Sequence, residues 1–330
     1  MKLKAVVDIA ARMGCVLALG LTLVSGLQAQ TKFPSRPLTL IVPFAAGGGT
    51  DVIARLIANR LGETLGETVV VENRAGAGGA IANKVVASAT ADGHTLLLGT
   101  AGTQAVSPSL NPNIGFDPTA DLAPVARLGA TPNLLVVHPQ VPARTVAELV
   151  ALSRAKPGDI PYASSGVGTV SHLSAVLFAR MAGIEINHVP YRGAAPANND
   201  LVSGQVKAMF DTPVSLLPLV SGGRVRVLAV TSATRLASLP EVPTLREAGY
   251  ADYLSEVWLG VFAPKGVPPA TLERLQSAIT EAVQTPAVSQ RMRDLGFAPQ
   301  PGGAVVLREV LAQDLVRWGK LIRDAGIQLQ

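Results

Sequence analysis

Cysteine and aromatic residues are scarce in this chain of 330 residues, and each shortage excludes a class of protein. The one cysteine, Cys15, stands near the N-terminus, so neither a disulfide nor a cysteine-bound metal is expected in the rest of the chain. Aromatic residues make up 4% and the basic residues form no block, whereas nucleic-acid-binding proteins cluster Lys and Arg among aromatic side chains. No nucleic-acid partner is therefore expected.

The N-terminal segment has the layout of a signal peptide. Lys2 and Lys4 precede the apolar run Cys15–Leu27, which is shorter than the roughly 20 residues of a membrane span, and Ala29 supplies a small residue for cleavage. We predict that residues 1–29 are a signal peptide and that the mature chain is exported. The alternative, a retained membrane anchor, is disfavoured by the length of the run. Cleavage lowers the formal charge from +5 to +3, which mildly favours anionic small molecules.

The mature chain is long enough for two domains. Short β-branched runs alternate with amphipathic segments, which is typical of α/β units around largely parallel sheets. Two passages, Thr131-Pro132 and Trp258–Phe262, separate one βα series from another. We predict that residues 30–131 and 256–330 form one lobe and residues 132–255 the other. Strand ends and helix starts would then line a cleft between the lobes, where ligands of open α/β sheets bind.

Hydrophobic periodicity places the elements within these lobes. Strands are predicted at residues 38–43, 69–71, 95–98, 125–129, 134–137, 160–163, 187–190, 206–210, 225–230 and 258–262. Helices are predicted at residues 51–61, 146–156, 172–182, 195–203 and 272–283.

A glycine-rich turn connects the first predicted strand to the first helix. It reads Phe44-Ala-Ala46-Gly47-Gly48-Gly49-Thr50-Asp51. Each glycine costs about 0.5 to 1 kcal/mol in backbone entropy relative to alanine, and a tight turn needs only one. One interpretation is that the missing side chains let an anionic ligand reach the backbone N–H groups at the positive helix end. The other is close packing of the helix on the strand.

Two further connections are rich in glycine and hydroxyl residues. Thr100-Ala-Gly-Thr103 follows one predicted strand, and Ser164-Ser165-Gly166-Val-Gly168-Thr169 precedes the helix that contains His172. Such residues are ordinary in turns and helix caps, so one loop of this kind would indicate little. Because three of them follow strands in two predicted lobes, we interpret them together as walls of a binding cleft.

Three titratable residues near these loops have two interpretations each. Asp211 follows a predicted strand at the cleft and either accepts a hydrogen bond from a ligand or caps a turn. Asp51 lies one helical turn before Arg55, so pairing with Arg55 is favoured over ligand contact. His172, near the start of its helix, is expected to pack or cap more than to bind a ligand.

Enzyme signatures are missing from the sequence. Ser164 and Ser165 are not part of a Gly-x-Ser-x-Gly nucleophile turn, and neither the dinucleotide-binding nor the phosphate-loop glycine pattern is complete. The four histidines are dispersed without the spacing of metal ligands. We therefore expect no catalytic residues, no metal and no cofactor.

Seven stretches of the mature chain have a familiar pattern. They are residues 34–51, 69–74 with 76–79, 92–99, 162–169, the segment His188-Val-Pro-Tyr-Arg-Gly193, 227–232 and 240–244. These stretches resemble the Bug receptor family, the substrate-binding components of tripartite tricarboxylate transporters. The resemblance covers essentially the whole mature chain in the same order.

The resemblance implies a two-lobed periplasmic binding protein fold of type II, the Venus flytrap fold, which closes on a small carboxylate. In that family, backbone groups and bound waters from two loops hold the carboxylate. Those loops match Phe44–Asp51 and Ser164–Thr169 here, and Asp211 matches an acid that contacts the far part of the ligand. The implied partners are the ligand and the membrane components of a transporter, with the receptor acting as a monomer.

Some family members serve as sensory partners, and the sequence does not separate that role from transport. Thr212 stands where the family commonly has Asn, which leaves the identity of the carboxylate open. Two other hypotheses remain at this point. A secreted α/β hydrolase would need a catalytic pair that is distant in sequence, and a cytosolic ligand-sensing domain would conflict with the predicted signal peptide.

Overall fold

The computed structural model describes residues 33–191 and 193–327, so the predicted signal peptide and Cys15 lie outside the described residues. The elements below all belong to one compact unit, Arg36–Gln330. The strands are β1 (Leu38–Val42), β2 (Val69–Asn73), β3 (Thr95–Thr100), β4 (Leu122–Pro132), β5 (Leu134–Val137), β6 (Pro161–Ser164), β7 (Asn187–Pro190), β8 (Ala208–Asp211), β9 (Arg226–Val230), β10 (Glu256–Pro264) and β11 (Ala298–Gly303).

Helices follow most of these strands. They are α1 (Gly49–Leu65), α2 (Ala80–Ala87), α3 (Ser107–Leu110), α4 (Val146–Ala155), α5 (Val170–Ala182), α6 (Ala194–Ser203), α7 (Pro213–Ser221), α8 (Pro269–Gln284), α9 (Pro286–Asp294) and α10 (Ala304–Ala325). A 3-10 turn, Ala77–Gly79, precedes α2, and a π-helical turn, Gly102–Val106, runs into α3.

The strands form two mixed sheets, and each sheet is the centre of one lobe. The first has six strands in the order β11-β4-β10-β3-β1-β2, and the second has five in the order β7-β6-β8-β5-β9. In the first sheet β1 runs parallel to β2 and β3, and in the second β6 runs parallel to β7 and β8. The carboxyl ends of these parallel strands carry the loops named in the sequence analysis, which puts those loops at sheet edges.

The sheets are mixed rather than largely parallel, which corrects the sequence-based expectation. β10 runs antiparallel to β3 and β4, and β5 runs antiparallel to β8 and β9. The physical reason is the crossing of the chain between lobes: β4 passes through Asn133 directly into β5, so the chain enters the second sheet without the crossover helix that parallel strands need. The first sheet draws its strands from residues 38–132 and 256–303, and the second from 134–230. The lobe boundaries themselves stay a prediction.

A buried polar cluster joins the two crossing segments. The Asn133 N–H donates to the Thr231 hydroxyl at 2.7 Å, and the Thr231 N–H donates to the Asn133 carbonyl at 3.0 Å. Ser255, just before β10, donates its N–H to the Thr231 carbonyl at 3.1 Å. These bonds satisfy backbone groups that the crossings remove from both sheets.

Sequence patterning explains the helices that pack on these sheets. In α8 the apolar residues Leu275, Ile279 and Val283 recur at helical spacing and are fully buried. α4 begins with a capping box, in which Thr145 accepts from the Glu148 N–H and the Glu148 carboxylate accepts from the Thr145 N–H. Among the described residues no helix is both long and apolar enough to cross a membrane.

Candidate functional site

The glycine-rich turn between β1 and α1 is open in front of its glycines. A Cβ atom added to Gly47 would have no heavy atom within 4 Å, and one added to Gly48 would meet only the Ala45 carbonyl oxygen at 3.7 Å. Gly47 has a φ of +81°, which a glycine adopts without strain. Close packing of helix on strand therefore does not explain Gly47 and Gly48. The space they leave is available to a ligand.

Asp51 braces this turn from behind. Its carboxylate is 3% exposed and accepts from the Gly47 N–H at 2.9 Å, the Arg55 Nε–H at 3.0 Å and the Asn73 Nδ2–H at 2.9 Å. Burial alone would raise the pKa of Asp51, yet the hydrogen bonds from Arg55, Gly47 and Asn73 outweigh it and hold that pKa below its usual range. The pairing with Arg55 that the spacing predicts is present, and the carboxylate is committed to the turn.

The first turn of α1 has no side-chain cap. Gly48 is the N-cap residue and offers no side-chain acceptor, while the first backbone bond of the helix runs from the Val52 N–H to the Gly48 carbonyl. In the described part of the chain, no acceptor engages the N–H groups of Gly49, Thr50 and Asp51. Three free donors at the positive end of a helix of 17 residues form an environment that favours an anion.

Two contacts bring the second lobe against this end of the first. A Cβ atom at Gly49 would lie 3.1 Å from the Val214 Cβ and 3.6 Å from the Thr212 hydroxyl oxygen, both at the start of α7. A Cβ atom at Gly168, in the loop after β6, would overlap the Leu110 side chain of α3. The connections that follow β1, β3, β6 and β8 thus approach one another across the cleft.

The loop Ser164–Thr169 uses most of its polar groups on itself. The Ser164 hydroxyl is fully buried, lies 2.6 Å from His188 Nε2 and accepts from the Gly166 N–H at 3.2 Å. The Thr169 hydroxyl donates to the Gly166 carbonyl at 2.7 Å and caps α5 by accepting from the His172 N–H at 3.3 Å. The hydroxyls of Ser164 and Thr169 therefore shape the loop, whereas Ser165 and Gly166 are half-buried at its outer side.

Asp211 ends β8 beside that loop, with one carboxylate oxygen free. Oδ1 accepts from the Thr212 N–H at 2.7 Å, whereas Oδ2 has no hydrogen-bond partner among the described residues. The residue is 6% exposed, and burial raises the pKa of Asp211 to about 6. A buried carboxyl group with an unused oxygen can accept a hydrogen bond when it is ionised or donate one when it is protonated.

Ser171, which was not predicted, connects the end of β8 to the loop. Its hydroxyl donates to the Phe210 carbonyl and accepts from the Ser165 N–H at 3.4 Å. Position 171 is the second residue of α5, and a buried serine there has no pattern that distinguishes it from an ordinary helix start. Asn73, at the end of β2, donates to the Asp51 carboxylate and to the Phe44 carbonyl, so it supports the glycine turn from below.

The remaining predicted residues lie at different depths. Ala46 is exposed in the turn and Phe44 is half-buried behind it. Thr103 lies in the π-helical turn, 2% exposed, and its hydroxyl accepts from the Thr100 N–H at 3.1 Å. His172 is buried and stacked on His188, in line with the packing role expected of it. Thr103 is therefore part of the wall behind the cleft, away from its surface.

Within residues 33–191 and 193–327, no three His, Cys, Asp or Glu side chains are placed to hold a metal ion together. The polar groups assembled at the cleft are backbone N–H donors, one half-buried serine and one buried carboxyl group. They are suited to binding a small anion, and the described residues supply no base hydrogen-bonded to Ser165 that would activate its hydroxyl.

Comparison with known proteins identifies a family that matches nearly the whole chain. The model of the tripartite tricarboxylate transporter family receptor matches residues 53–327. Protein BugT of Bordetella pertussis is 38% identical over 299 residues, which cover 90% of this chain and 92% of BugT.

Two solved structures with bound ligands are similar as well. R. palustris Rpa4515 with adipate has a TM-score of 0.86 and 38% identity, covering 90% of this chain and 99% of that one. MatC from Rhodopseudomonas palustris with bound malate has a TM-score of 0.80 and 35% identity, covering 88% of this chain and 100% of that one. The chain belongs to the tripartite tricarboxylate transporter receptor family, the Bug-type periplasmic binding proteins.

Proposed function

We propose that this chain is exported to the periplasm, binds a small carboxylate without changing it chemically, and delivers it to the membrane components of a tripartite tricarboxylate transporter. The observation that carries the proposal is the uncapped start of α1 behind two unpacked glycines. The ligand class includes dicarboxylates and tricarboxylates, acidic amino acids and aromatic acids, each of which presents a carboxylate to this turn.

One side of the proposed binding site is the turn Phe44–Asp51. A ligand carboxylate in front of Gly47 and Gly48 would accept from the free N–H groups of Gly49, Thr50 and Asp51. Hydrogen bonds to a charged group contribute about 1.5 to 3 kcal/mol each, and a micromolar complex needs about 8 kcal/mol. Three or four such bonds account for that affinity, so no arginine is required.

The opposite side of the proposed binding site is formed by the loop Ser164–Thr169 and Asp211. Ser165 and Gly166 are half-buried at the carboxyl edge of the second sheet, and the Ser171 hydroxyl links the Ser165 N–H to the Phe210 carbonyl, one residue before Asp211. Because the turn at α1 accepts any carboxylate, the rest of the ligand must decide the specificity. The free oxygen of Asp211 is the group best placed to do so.

Asp211 favours ligands with a second polar group. When it is ionised, Oδ2 accepts from a ligand hydroxyl or ammonium group; when it is protonated, it donates to a second carboxylate. The relatives solved with malate and with adipate carry ligands that offer such groups, since both are dicarboxylates and malate has a hydroxyl group as well. Which kind this chain takes is the question that a ligand screen answers.

Substitution of Gly48 by valine tests the site directly. The φ of −77° and ψ of 165° at Gly48 suit valine, and the nearest obstacle to its Cβ is 3.7 Å away, so the fold is expected to persist. The isopropyl group would fill the space in front of α1. We expect Gly48→Val to abolish the thermal shift that a screen of mono-, di- and tricarboxylates, amino acids and aromatic acids produces in the wild type.

The matched control is Ala151→Val, which adds the same branched side chain at an exposed position of α4 and should leave binding unchanged. Native mass spectrometry of protein purified without refolding identifies a retained ligand independently. If no carboxylate shifts the melting temperature of the wild type, or if Gly48→Val binds normally, the proposed site is wrong.

A further inference from the structure

Two histidines and a tyrosine form a stack directly under the loop Ser164–Thr169. The ring centroids of His172 and His188 lie 4.1 Å apart with an interplanar angle of 9°, and those of His188 and Tyr162 lie 4.9 Å apart at 23°. Tyr162 and His188 are paired neighbours on the parallel strands β6 and β7, and His172 comes from the first turn of α5. Three elements that surround the loop therefore meet at this stack.

Each histidine forms a hydrogen bond to one end of the loop. The Gly168 N–H donates to His172 Nδ1 at 3.2 Å, near the C-terminal end. His188 Nε2 and the Ser164 hydroxyl lie 2.6 Å apart at the N-terminal end. Because the Gly168 N–H is a donor, His172 Nδ1 must carry a lone pair, and a protonated imidazole could not take this role.

The surroundings of the pair favour its neutral state. Burial lowers the pKa of His172 to about 3, with a smaller contribution from His188, and burial lowers the pKa of His188 to about 4. Tyr162 of β6 stacks on His188 and its own pKa is raised by burial. Neither shift has a carboxylate among its causes, so within the described part of the chain no counter-charge stabilises an imidazolium ion at this pair.

We propose that His172 and His188 are positioning residues that fix the two ends of the loop Ser164–Thr169 in the shape that meets the ligand. The proposal rests on the function proposed above, because it concerns the side of the binding site that the loop Ser164–Thr169 forms. Neither histidine contacts the ligand in this account. Their rings hold Ser164 and Gly168, so that Ser165 and the Gly166 backbone face the cleft.

Two pairs of substitutions separate the hydrogen bond from the packing. His172→Asn keeps an acceptor where Nδ1 stands, and His172→Leu fills a similar volume without one. His188→Gln and His188→Leu do the same for Nε2. Losing one hydrogen bond of about 1 kcal/mol corresponds to about a fivefold change in an equilibrium constant.

The readouts are amide hydrogen exchange of the loop in the ligand-free protein and affinity for malate and for adipate. We expect His172→Leu to speed exchange at the Gly168 amide about fivefold and to weaken binding of the better probe about fivefold, with His172→Asn within twofold of the wild type. His188→Leu should have the same effect at the Gly166 amide, through Ser164, and His188→Gln should restore it.

The wild type provides a test that needs no variant. Nitrogen NMR of the ligand-free protein at pH 7 should show Nδ1 of His172 without a proton, and a protonated Nδ1 would overturn the proposal even if His172→Leu fails to fold. Equal effects of Asn and Leu at position 172, or unchanged exchange in both, would also overturn it. If the wild type binds neither probe, the carboxylate function is in doubt, while the exchange data still decide the role of the histidines.

Discussion

The glycine turn before α1 and the loop before α5 have similar compositions and use their polar groups in different ways. In the turn, the side chains of Asp51, Arg55 and Asn73 form hydrogen bonds that stabilise the chain, and the N–H groups of the first helical turn stay free. In the loop Ser164–Thr169, the hydroxyl groups and the Gly168 N–H are consumed by bonds within the lobe. Glycine and serine content alone therefore does not indicate which backbone donors a ligand can reach.

The largest expected effect comes from removing the Asp51 carboxylate, which stabilises the glycine turn. Asp51→Ala would remove the carboxylate that accepts from the Gly47 N–H, the Arg55 guanidinium and the Asn73 amide, so we expect the free energy of unfolding to fall by about 2 to 4 kcal/mol. Urea unfolding measures it. Glu63→Ala is the control, since the exposed Arg60–Glu63 pair is expected to contribute less than about 0.5 kcal/mol. Equal losses in both variants would show that Asp51 is not a brace.

Asp211 should make stability depend on pH. Because its folded pKa of about 6 lies above the unfolded value, the protonated form stabilises the fold; that contribution is complete below about pH 4 and is lost as the pH rises through 6. Asp211→Asn should therefore be more stable than the wild type at pH 8, by up to about 3 kcal/mol, with the difference vanishing near pH 4.

Chemical unfolding of both proteins across this pH range tests the prediction. Asp159→Asn, at an exposed carboxylate, is the control and should not reproduce the trend. A wild type that gains stability over Asp211→Asn as the pH rises would mean that Oδ2 has a partner that stabilises its charge.

The two adjacent serines of the loop should respond unequally to substitution. Ser164→Ala removes the partner of His188 and the acceptor of the Gly166 N–H in a fully buried place, so we expect a loss of about 1 to 2 kcal/mol in thermal or chemical unfolding. Ser165→Ala removes a half-exposed hydroxyl whose one contact is 3.5 Å long, and should cost less than about 0.5 kcal/mol while weakening ligand binding. The reverse order would remove the distinction between the inner and outer faces of the loop.

The smallest effect concerns the contact between the lobes. Gly49→Ala would place a methyl group 3.1 Å from the Val214 Cβ, so the start of α7 must move by a few tenths of an ångström. We expect affinity to fall about fivefold by isothermal titration calorimetry and to recover in the double variant Gly49→Ala with Val214→Ala. No recovery would show that the methyl group acts on the ligand directly instead of on α7.

Local sequence patterns predicted several strands and the glycine turn. β5 and β7 match their predicted bounds, and the free start of α1 lies in the predicted turn. α7 was not predicted because Pro213 and Pro218 disfavour a helix, and the structure tolerates Pro213 at the first position, where no N–H bond is lost. The π-helical turn at Gly102–Val106 was also missed, since the buried hydrogen bond from the Gln104 side chain to Asn83, a residue distant in the sequence, helps to stabilise it.

The site was harder to predict than the fold because its parts meet through tertiary contacts. The sequence named Gly49 and Asp211, but the approach of Val214 to Gly49 joins residues that are far apart in the chain. It also named Ser164, Thr169 and Thr103 without distinguishing hydroxyls that face a cleft from hydroxyls that are buried behind it. Burial and hydrogen-bond partners separate these cases, and neither follows from composition.

The central claim is that a ligand carboxylate sits on the free N–H groups at the start of α1. Amide NMR titration of the wild type with the tightest carboxylate from the screen tests it most directly. We expect the amide protons of Gly49, Thr50 and Asp51 to move downfield by more than those of the loop Ser164–Thr169. These shifts should saturate at one ligand per chain. Saturable binding that leaves these three amides unmoved would contradict it.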